Sequence, residues 1–296
     1  MIRLALIRSL RQLAIVPIVA VASWWLMSLL PLQVDDEQKQ AVPPELLASY
    51  RRDLGIGEPF GFLRPWEKLF AGERLGTSSQ GVTGEELLVK LSGSVGVGLV
   101  ALVMALGWAI LWSLLRVLVV EPRFPRAGEV VPALAFGTPV FIPALLLAPS
   151  FAEAGNFLPE LAAAFVISLW PGVLIGTLLA DALREELRRD YVRTAKGKGL
   201  APRQVLRRHV VPNILPVMLD ALGPVATALL AGSFAAERVL GLPYFGQLYV
   251  LAVIKKQLAV VVVATTVFAA LLVVVTTAVE LARLWVDPRS REERSP

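Results

Sequence analysis

Long runs of residues without a charged side chain dominate this sequence and restrict the environment in which it can fold. Residues 91–115 contain no Asp, Glu, Lys or Arg, and the same is true of residues 161–180 and 258–279. A helix of about 20 such residues spans the hydrocarbon layer of a bilayer. Since 56% of the residues are hydrophobic and the mean hydropathy is +0.66, a water-soluble domain is excluded. We therefore predict an all-α integral membrane protein.

Three further apolar runs bring the number of predicted spans to six. They are residues 13–34, residues 130–149 and residues 214–234. The second of these is interrupted by Pro132, Pro139 and Pro143, which predicts kinks or local unwinding where the helix borders protein or water. The whole chain, residues 1–296, is thus predicted to form a single transmembrane domain.

The first run resembles a signal peptide in one respect, because Ala20-Val21-Ala22 imitates a cleavage site. The apolar run nevertheless continues past this point through Trp24, Trp25 and Leu26. Cleavage there would leave an exposed apolar stub, so an uncleaved first helix is the preferred interpretation.

The distribution of charge predicts the orientation of the spans. With the N-terminus inside, the cytoplasmic segments hold 19 Lys and Arg against 8 Asp and Glu, whereas the external segments hold 10 against 13. This asymmetry follows the positive-inside rule. Both termini and a loop at residues 183–213 are therefore predicted to be cytoplasmic, and residues 35–90 to form an external loop insertion. The net charge of +5 is thus explained by topology and does not indicate nucleic acid.

The cytoplasmic loop has the pattern of two short helices joined at a corner. Residues 191–198 fit two helical turns, and Gly199 suits a positive φ just after them. Pro202 suits the first turn of a second helix, which Pro212 is expected to end. Within that helix Leu206 and Val210 are spaced i and i+4. These features predict a rigid projecting segment that contacts another protein.

Several kinds of chemistry are excluded by the residues present. The pattern G-x-x-x-x-G-K-[ST] is absent, so any ATP must be hydrolysed by a partner chain. The chain has no cysteine and a single histidine, His209, which rules out a His/Cys metal site and disfavours a Ser–His triad. We predict no enzymatic activity and no cofactor. DNA binding by a helix-turn-helix at 203–209 is disfavoured, because the loop is held between two spans and has no flanking soluble domain.

Three carboxylates lie near the ends of the predicted spans: Asp181, Asp220 and Glu280. A charge facing lipid is costly, so such residues are candidates for substrate or proton contacts. The preferred alternative is that they pair with Arg184, Arg207 or Arg283 as structural locks. Similarly, the G-x-x-x-G pair Gly172 and Gly176 is interpreted as packing within the chain rather than as a dimer motif.

The loop resembles the EAA-type loop of ABC-importer permeases, which is written E-A-A-x3-G-x9-I-x-L-P. Arg193-Thr194-Ala195 takes the place of Glu-Ala-Ala, Gly199 takes the glycine, and His209, Val211 and Pro212 take Ile, Leu and Pro. The segment D-Y-V-R-T-A-K-G-K-G-L is similar to the variant in B-type permeases for dipeptides, oligopeptides and nickel. The resemblance implies a coupling interface formed by Arg193, Thr194, Ala195, Gly199, Pro202, Leu206, Arg207, His209 and Pro212.

A second resemblance lies at residues 237–246, which are similar to the external loop pattern E-x-V-F-x-x-P-G-L-G of the same family. It implies that Glu237, Pro243 and Gly246 belong to a shaped turn along the translocation path. The segment 237–257 is accordingly expected to be a turn-rich loop.

The resemblance covers nearly the whole chain and implies a six-span bacterial inner-membrane permease for peptides or a related small solute. The implied partners are two ATP-binding subunits, a second paralogous permease chain, an external solute-binding protein and membrane lipid. Two alternatives stay open: a non-transporting scaffold or regulatory subunit, and an ion-coupled secondary carrier that uses Asp220 and Glu280.

Overall fold

The chain forms helices over most of its length in a computed structural model, which describes residues 12–29, 34–35, 40–41, 44–76, 81–124, 126–139, 142–146 and 158–286. The first helices are α1 Ile15–Ser28, α2 Pro44–Asp53, α3 Arg64–Phe70, α4 Gly84–Leu115, α5 Glu121–Arg123, α6 Ala127–Gly137 and α7 Leu158–Arg188. They are followed by α8 Asp190–Gly197, α9 Pro202–Val205, α10 Val211–Leu240, α11 Phe245–Ile254 and α12 Leu258–Val286. Val34–Asp35 pairs with Gln40–Ala41 as a short antiparallel ladder. The predicted all-α class is confirmed.

Four helices of the described residues are long and apolar enough to cross a membrane. They are Gly84–Val120, Pro159–Arg188, Pro202–Leu240 and Leu258–Arg283. Each contains one of the predicted spans, namely the second, fourth, fifth and sixth in chain order. These four predictions are therefore confirmed by helix length and composition.

The first and third predicted spans appear as shorter helices. Ile15–Ser28 has 14 residues, and Val34 of the predicted run lies in a strand instead. Ala127–Gly137 ends two residues before Pro139, and Thr138 is already extended. The residue before a proline is pushed out of the helical region, which explains this break. The predicted unwinding of the third run is thus confirmed, while six full spans are not seen in the described residues.

The described residues divide into two compact units. The first comprises the residues up to Ser94 together with Pro243–Val274, and the second comprises Val95–Leu242 with the residues from Val275 onward. Helices α4 and α12 contribute to both units, since each crosses a boundary.

The first unit is held together by hydrogen bonds between residues far apart in the sequence. Nε1 of Trp24 donates to the backbone C=O of Leu54 at 2.6 Å and so joins α1 to the end of α2. The N–H of Phe245 donates to Oγ of Ser94 at 3.0 Å. Because the first N–H groups of a helix lack partners inside it, Ser94 caps α11 from another helix.

Close packing of α4 against α7 is a main feature of the second unit. A Cβ added at Gly172 would lie 2.6 Å from Cβ of Trp108 and 3.0 Å from the C=O oxygen of Ala105. One added at Gly176 would lie 2.8 Å from the C=O oxygen of Ala109. Only residues without a side chain permit this approach. The prediction that the G-x-x-x-G pair packs within the chain is confirmed.

The predicted turn-rich loop at residues 237–257 is wrong over much of its length. Helix α10 continues to Leu240 and is ended by Gly241, whose φ is +72°. The chain then re-enters a helix, Phe245–Ile254. That segment is almost wholly apolar, and the burial of Phe245, Leu248 and Ala252 within the first unit favours a helix over an exposed loop. Turns remain at two places within 237–257, namely residues 241–244 before this helix and residues 255–257 after it.

Candidate functional site

The loop at residues 183–213 begins where α7 ends and the chain changes direction. Arg189 is extended, with φ −67° and ψ 150°, and separates α7 from α8. Helix α8, Asp190–Gly197, then runs for eight residues. The predicted helix at 191–198 is confirmed, one residue out of step at each end. The break at Arg189 lets α8 project as a separate element.

The corner after α8 is a Schellman turn centred on Gly199, whose φ is +76°. The N–H of Leu200 donates to the C=O of Ala195 at 3.3 Å, and the N–H of Gly199 donates to the C=O of Lys196 at 3.0 Å. These two bonds define the motif and satisfy carbonyls that the end of the helix leaves open. No atom lies within 4 Å of a Cβ added at Gly199. The requirement for glycine is therefore one of backbone conformation alone.

The second helix of the loop begins as predicted but does not end as predicted. Pro202 occupies its first turn, where a missing N–H does no harm. Residues Leu206–Val210 form a π-helical turn, and the N–H of Val211 donates to the C=O of Leu206. Pro212 then lies in the first turn of α10. The expectation that Pro212 ends the helix is wrong. The wider π turn leads directly into α10, and Pro212 lies in the first turn of that helix, where the N–H that proline lacks is not required.

One side of the loop is buried on the spans that flank it. Val192 and Val210 are fully buried, and Val205 is 2% exposed. They form a cluster with residues of α7 and α10, and the whole set is Leu179, Leu183, Val192, Ala195, Val205, Val210 and Ile214. Leu206, which the sequence paired with Val210 by spacing, lies half-buried and packs against this cluster. The loop therefore has an apolar core of its own.

The other side of the loop is exposed and carries most of the predicted interface. The side chain of Arg193 is 80% exposed and lies 3.8 Å from Oδ1 of Asp190. Thr194, Gly199, Pro202, Arg207 and Pro212 are also exposed, His209 is half-buried, and Ala195 is 7% exposed in the core beneath. Lys196, Lys198, Arg203 and Arg208 add to this face, which is strongly basic. Such a surface suits contact with a partner that carries acidic groups.

A buried carboxylate at the base of the loop was missed by the sequence analysis. Glu186, in the last turn of α7, is 8% exposed. Its Oε2 accepts hydrogen bonds from the hydroxyl of Tyr191 and from Nδ2 of Asn213, the latter at 3.2 Å. Its Oε1 lies 2.8 Å from Nε of Arg189. We call these four residues the Glu186 cluster.

Tyr191 shows the electrostatic effect of this arrangement. Burial, and then the hydrogen bond to Glu186, raise the pKa of the Tyr191 hydroxyl above its ordinary value, while the amide of Asn213 lowers it. The raised pKa keeps the hydroxyl protonated, so it acts as a donor to the carboxylate. The sequence signal for this cluster is limited to the run of charged residues before Asp190, which does not indicate which of them is buried.

Two of the three carboxylates singled out near the span ends lie beside arginines. Oδ1 of Asp181 is 3.3 Å from Arg116 and 3.4 Å from Arg184. Asp220 lies 2.7 Å from Nε of Arg283. Glu280 is half-buried on α12, one turn before Arg283.

The three residues assigned to the translocation path lie at the turn between α10 and α11. Glu237 is fully buried in the last turn of α10, and its backbone C=O accepts from the N–H of Leu242 at 2.9 Å. The C=O of Pro243 accepts from Nζ of Lys90 at 2.9 Å. Gly246 is buried in the first turn of α11. In the part of the chain that the structure describes, no three acidic or histidine side chains gather closely enough to hold a metal ion.

Comparisons of the amino-acid sequence with known proteins identify the family of this chain. A family model described as the binding-protein-dependent transport system inner membrane component matches residues 123–292, more than half of the chain. The dipeptide transport system permease protein of Bacillus subtilis is 25% identical over 66% of this chain and 67% of its own length. The oligopeptide transport system permease protein of Haemophilus influenzae is 25% identical over 96% of this chain and 97% of its own. The corresponding Escherichia coli protein is 32% identical over 40% of this chain and 38% of its own. The chain therefore belongs to the family of inner-membrane components of binding-protein-dependent transport systems, and it is a multi-pass permease.

Proposed function

We propose that this permease imports peptides or a related small solute, driven by ATP hydrolysis in partner subunits. The proposal is supported by relatives named for dipeptide and oligopeptide transport, one of which aligns along nearly the full length of both chains. The sequence has no phosphate-binding loop of its own, so the energy must enter through another chain.

The observation that carries the proposal is the two-sided construction of the loop at residues 183–213. Val192 and Val205 anchor it in an apolar cluster on α7 and α10. Arg193 and its basic neighbours face outward. A loop built in this way is rigid on one side and available for docking on the other. We assign it to the contact with an ATP-binding subunit, with Arg193, Thr194, Gly199, Pro202, Arg207 and Pro212 on the surface and Ala195, Leu206 and His209 supporting them.

The assembly we propose contains two ATP-binding subunits, a second permease chain, an external solute-binding protein and surrounding lipid. The first and third predicted spans, residues 13–34 and 130–149, are added to the four long helices, which gives six spans with both termini cytoplasmic. Residues 35–90 then lie outside. The excess of Lys and Arg in the loop at 183–213 supports this orientation.

Alternating access is the mechanism that this connectivity supports. The loop follows α7 after the extended residue Arg189 and passes through the π turn directly into α10. Movement of the ATP-binding subunits would displace the loop and tilt both helices, exchanging inward-open for outward-open packing. Glu237, Pro243 and Gly246, at the turn after α10, are assigned to the outer part of the path.

The ion pair of Asp220 with Arg283 favours a locking role over proton transport. At 2.7 Å the carboxylate already has a cation beside it. The pair joins α10 to the last turn of α12, which is what a structural lock requires. Asp181, which lies beside Arg116 and Arg184, is assigned to the same role, as is Glu280.

Reconstitution of the complete complex in proteoliposomes tests the proposal. We expect uptake of a labelled dipeptide or tripeptide to require internal ATP and the external binding protein, and to persist when the pH gradient is collapsed. The permease alone should not hydrolyse ATP. Uptake that follows the pH gradient without ATP would establish the carrier instead. An ATP-binding partner that assembles while no peptide is taken up would establish a scaffold.

A further inference from the structure

The Glu186 cluster joins the two ends of the loop at a single buried carboxylate. Glu186 belongs to the last turn of α7, and Tyr191 to the first turn of α8, where the chain enters the loop. Asn213 belongs to the first turn of α10, where the chain leaves it. Nδ2 of Asn213 lies 3.2 Å from Oε2 of Glu186 and 3.3 Å from the hydroxyl of Tyr191. The carboxylate therefore bridges 27 residues of sequence.

This cluster differs in kind from the apolar contacts that hold the loop in place. The burial of Val192, Val205 and Val210 is favourable but not directional, so it permits small displacements along the surface. Hydrogen bonds to a charged acceptor are directional and stronger than neutral ones. The apolar core keeps the loop folded, whereas the Glu186 cluster fixes its position relative to α7 and α10.

We propose that Glu186, Tyr191 and Asn213 are positioning residues that make the loop and its two flanking helices move together. A force applied to the exposed face of α8 reaches α7 through Glu186 and reaches α10 through Asn213. Without the cluster, the loop shifts over its apolar core and the force is lost. This inference rests on the proposed contact between the loop and an ATP-binding subunit.

The experiment measures solute transported per ATP hydrolysed in proteoliposomes that contain the complete complex. Tyr191→Phe removes one hydroxyl and keeps the ring that lies 6.3 Å from His209. Glu186→Gln removes the charge. Because hydrogen bonds to a charged group are among the strong ones in proteins, we expect each change to lower the transport-to-hydrolysis ratio about tenfold while the complex still assembles. Glu185→Gln is the matched control, since that side chain is 73% exposed on the same turn. Its 3.2 Å contact is with Arg189, which is not one of the three proposed positioning residues, so the ratio should be kept.

A cross-link gives a second readout that a purely structural role would not produce. The chain has no native cysteine, so Glu186→Cys combined with Asn213→Cys supplies the only two thiols. The double variant should be uncoupled, and a short thiol-reactive cross-linker should restore coupling until reductant releases it. Each single variant treated with the same reagent should stay uncoupled.

The outcomes separate this inference from the proposed function. If the wild-type complex shows no ATP-driven uptake, the proposed function fails. If the wild type couples normally while Tyr191→Phe and Glu186→Gln match Glu185→Gln, only the inference about the cluster is overturned. Uncoupling that the cross-linker leaves unchanged would also contradict it.

Discussion

Nε of Arg283 lies 2.7 Å from Oδ1 of Asp220, which ties the last turn of α12 to α10. The two side chains are 33% and 49% exposed, so they are partly screened from each other. Asp220→Asn should destabilise the protein by about 1 kcal/mol or less. It should not make uptake depend on a proton gradient. Thermal unfolding in detergent and uptake with and without an imposed pH gradient are the measurements. Proton-driven uptake in the wild type that disappears in Asp220→Asn would support a carrier.

Gly199 and Gly197 form a matched pair for testing the corner of the loop. Both are exposed, and a Cβ at either one meets nothing within 4 Å, but only Gly199 has a positive φ. Gly199→Val should cost about 1–2 kcal/mol locally through backbone strain and tilt α9 away from its partner. We expect a normally inserted protein with lost uptake and ATP hydrolysis that no longer responds to solute, whereas Gly197→Val retains both. Full uptake in Gly199→Val would show that the corner is not needed for coupling.

The contact between α4 and α7 predicts a large effect from a single methyl group. At Gly172 that methyl would lie 2.6 Å from Cβ of Trp108, so the helices must separate. Gly172→Ala should therefore destabilise the protein by about 1–3 kcal/mol. Gly107→Ala, on α4 with open space around it, should be neutral or stabilising, because alanine favours a helix. The measurement is the midpoint temperature of thermal unfolding for Gly172→Ala and Gly107→Ala. Equal midpoints for the two variants would contradict the observed packing.

The proposed topology can be tested by labelling single cysteines, since the chain has none of its own. Glu73→Cys should react with an impermeant maleimide from outside intact cells, because it is exposed in the proposed external segment. Lys198→Cys, exposed at the loop corner, and Ser290→Cys should react only after the membrane is permeabilised. External labelling of Lys198→Cys would reverse the proposed orientation of the loop.

Features set by local sequence were predicted well, and those set by distant contacts were not. The positive φ of Gly199 and the helix start at Pro202 follow from the conformations that glycine and proline prefer. The four longest spans follow from apolar runs of sufficient length. The role of Glu186, in contrast, depends on its hydrogen bond with Asn213, which is 27 residues later in the sequence. No local sequence pattern predicts that contact.

Two wrong predictions have a common cause in tertiary structure. Pro212 was expected to end a helix, but the π turn just before it leads into α10 without a hydrogen bond from residue 212, which has no N–H to donate. Residues 245–254 were expected to be a loop, but Ser94 caps this segment from α4, and the helix is stabilised by a residue that is distant in sequence. In both places the local preference is real and is overridden by a neighbouring element.

The π turn at Leu206–Val210 also sets the rotational phase between the loop and α10. A π turn holds one residue more than an α turn, so Val205 and Val210, five residues apart, share one buried face. Each residue of an α-helix advances the direction of the side chains by about 100°. Deleting one residue from this turn would restore a regular helix and rotate Pro202–Val205 by that angle relative to α10. Val205 would then leave the apolar cluster, and the exposed basic face would rotate by the same angle. The one extra residue of the π turn therefore determines the direction in which the docking surface faces.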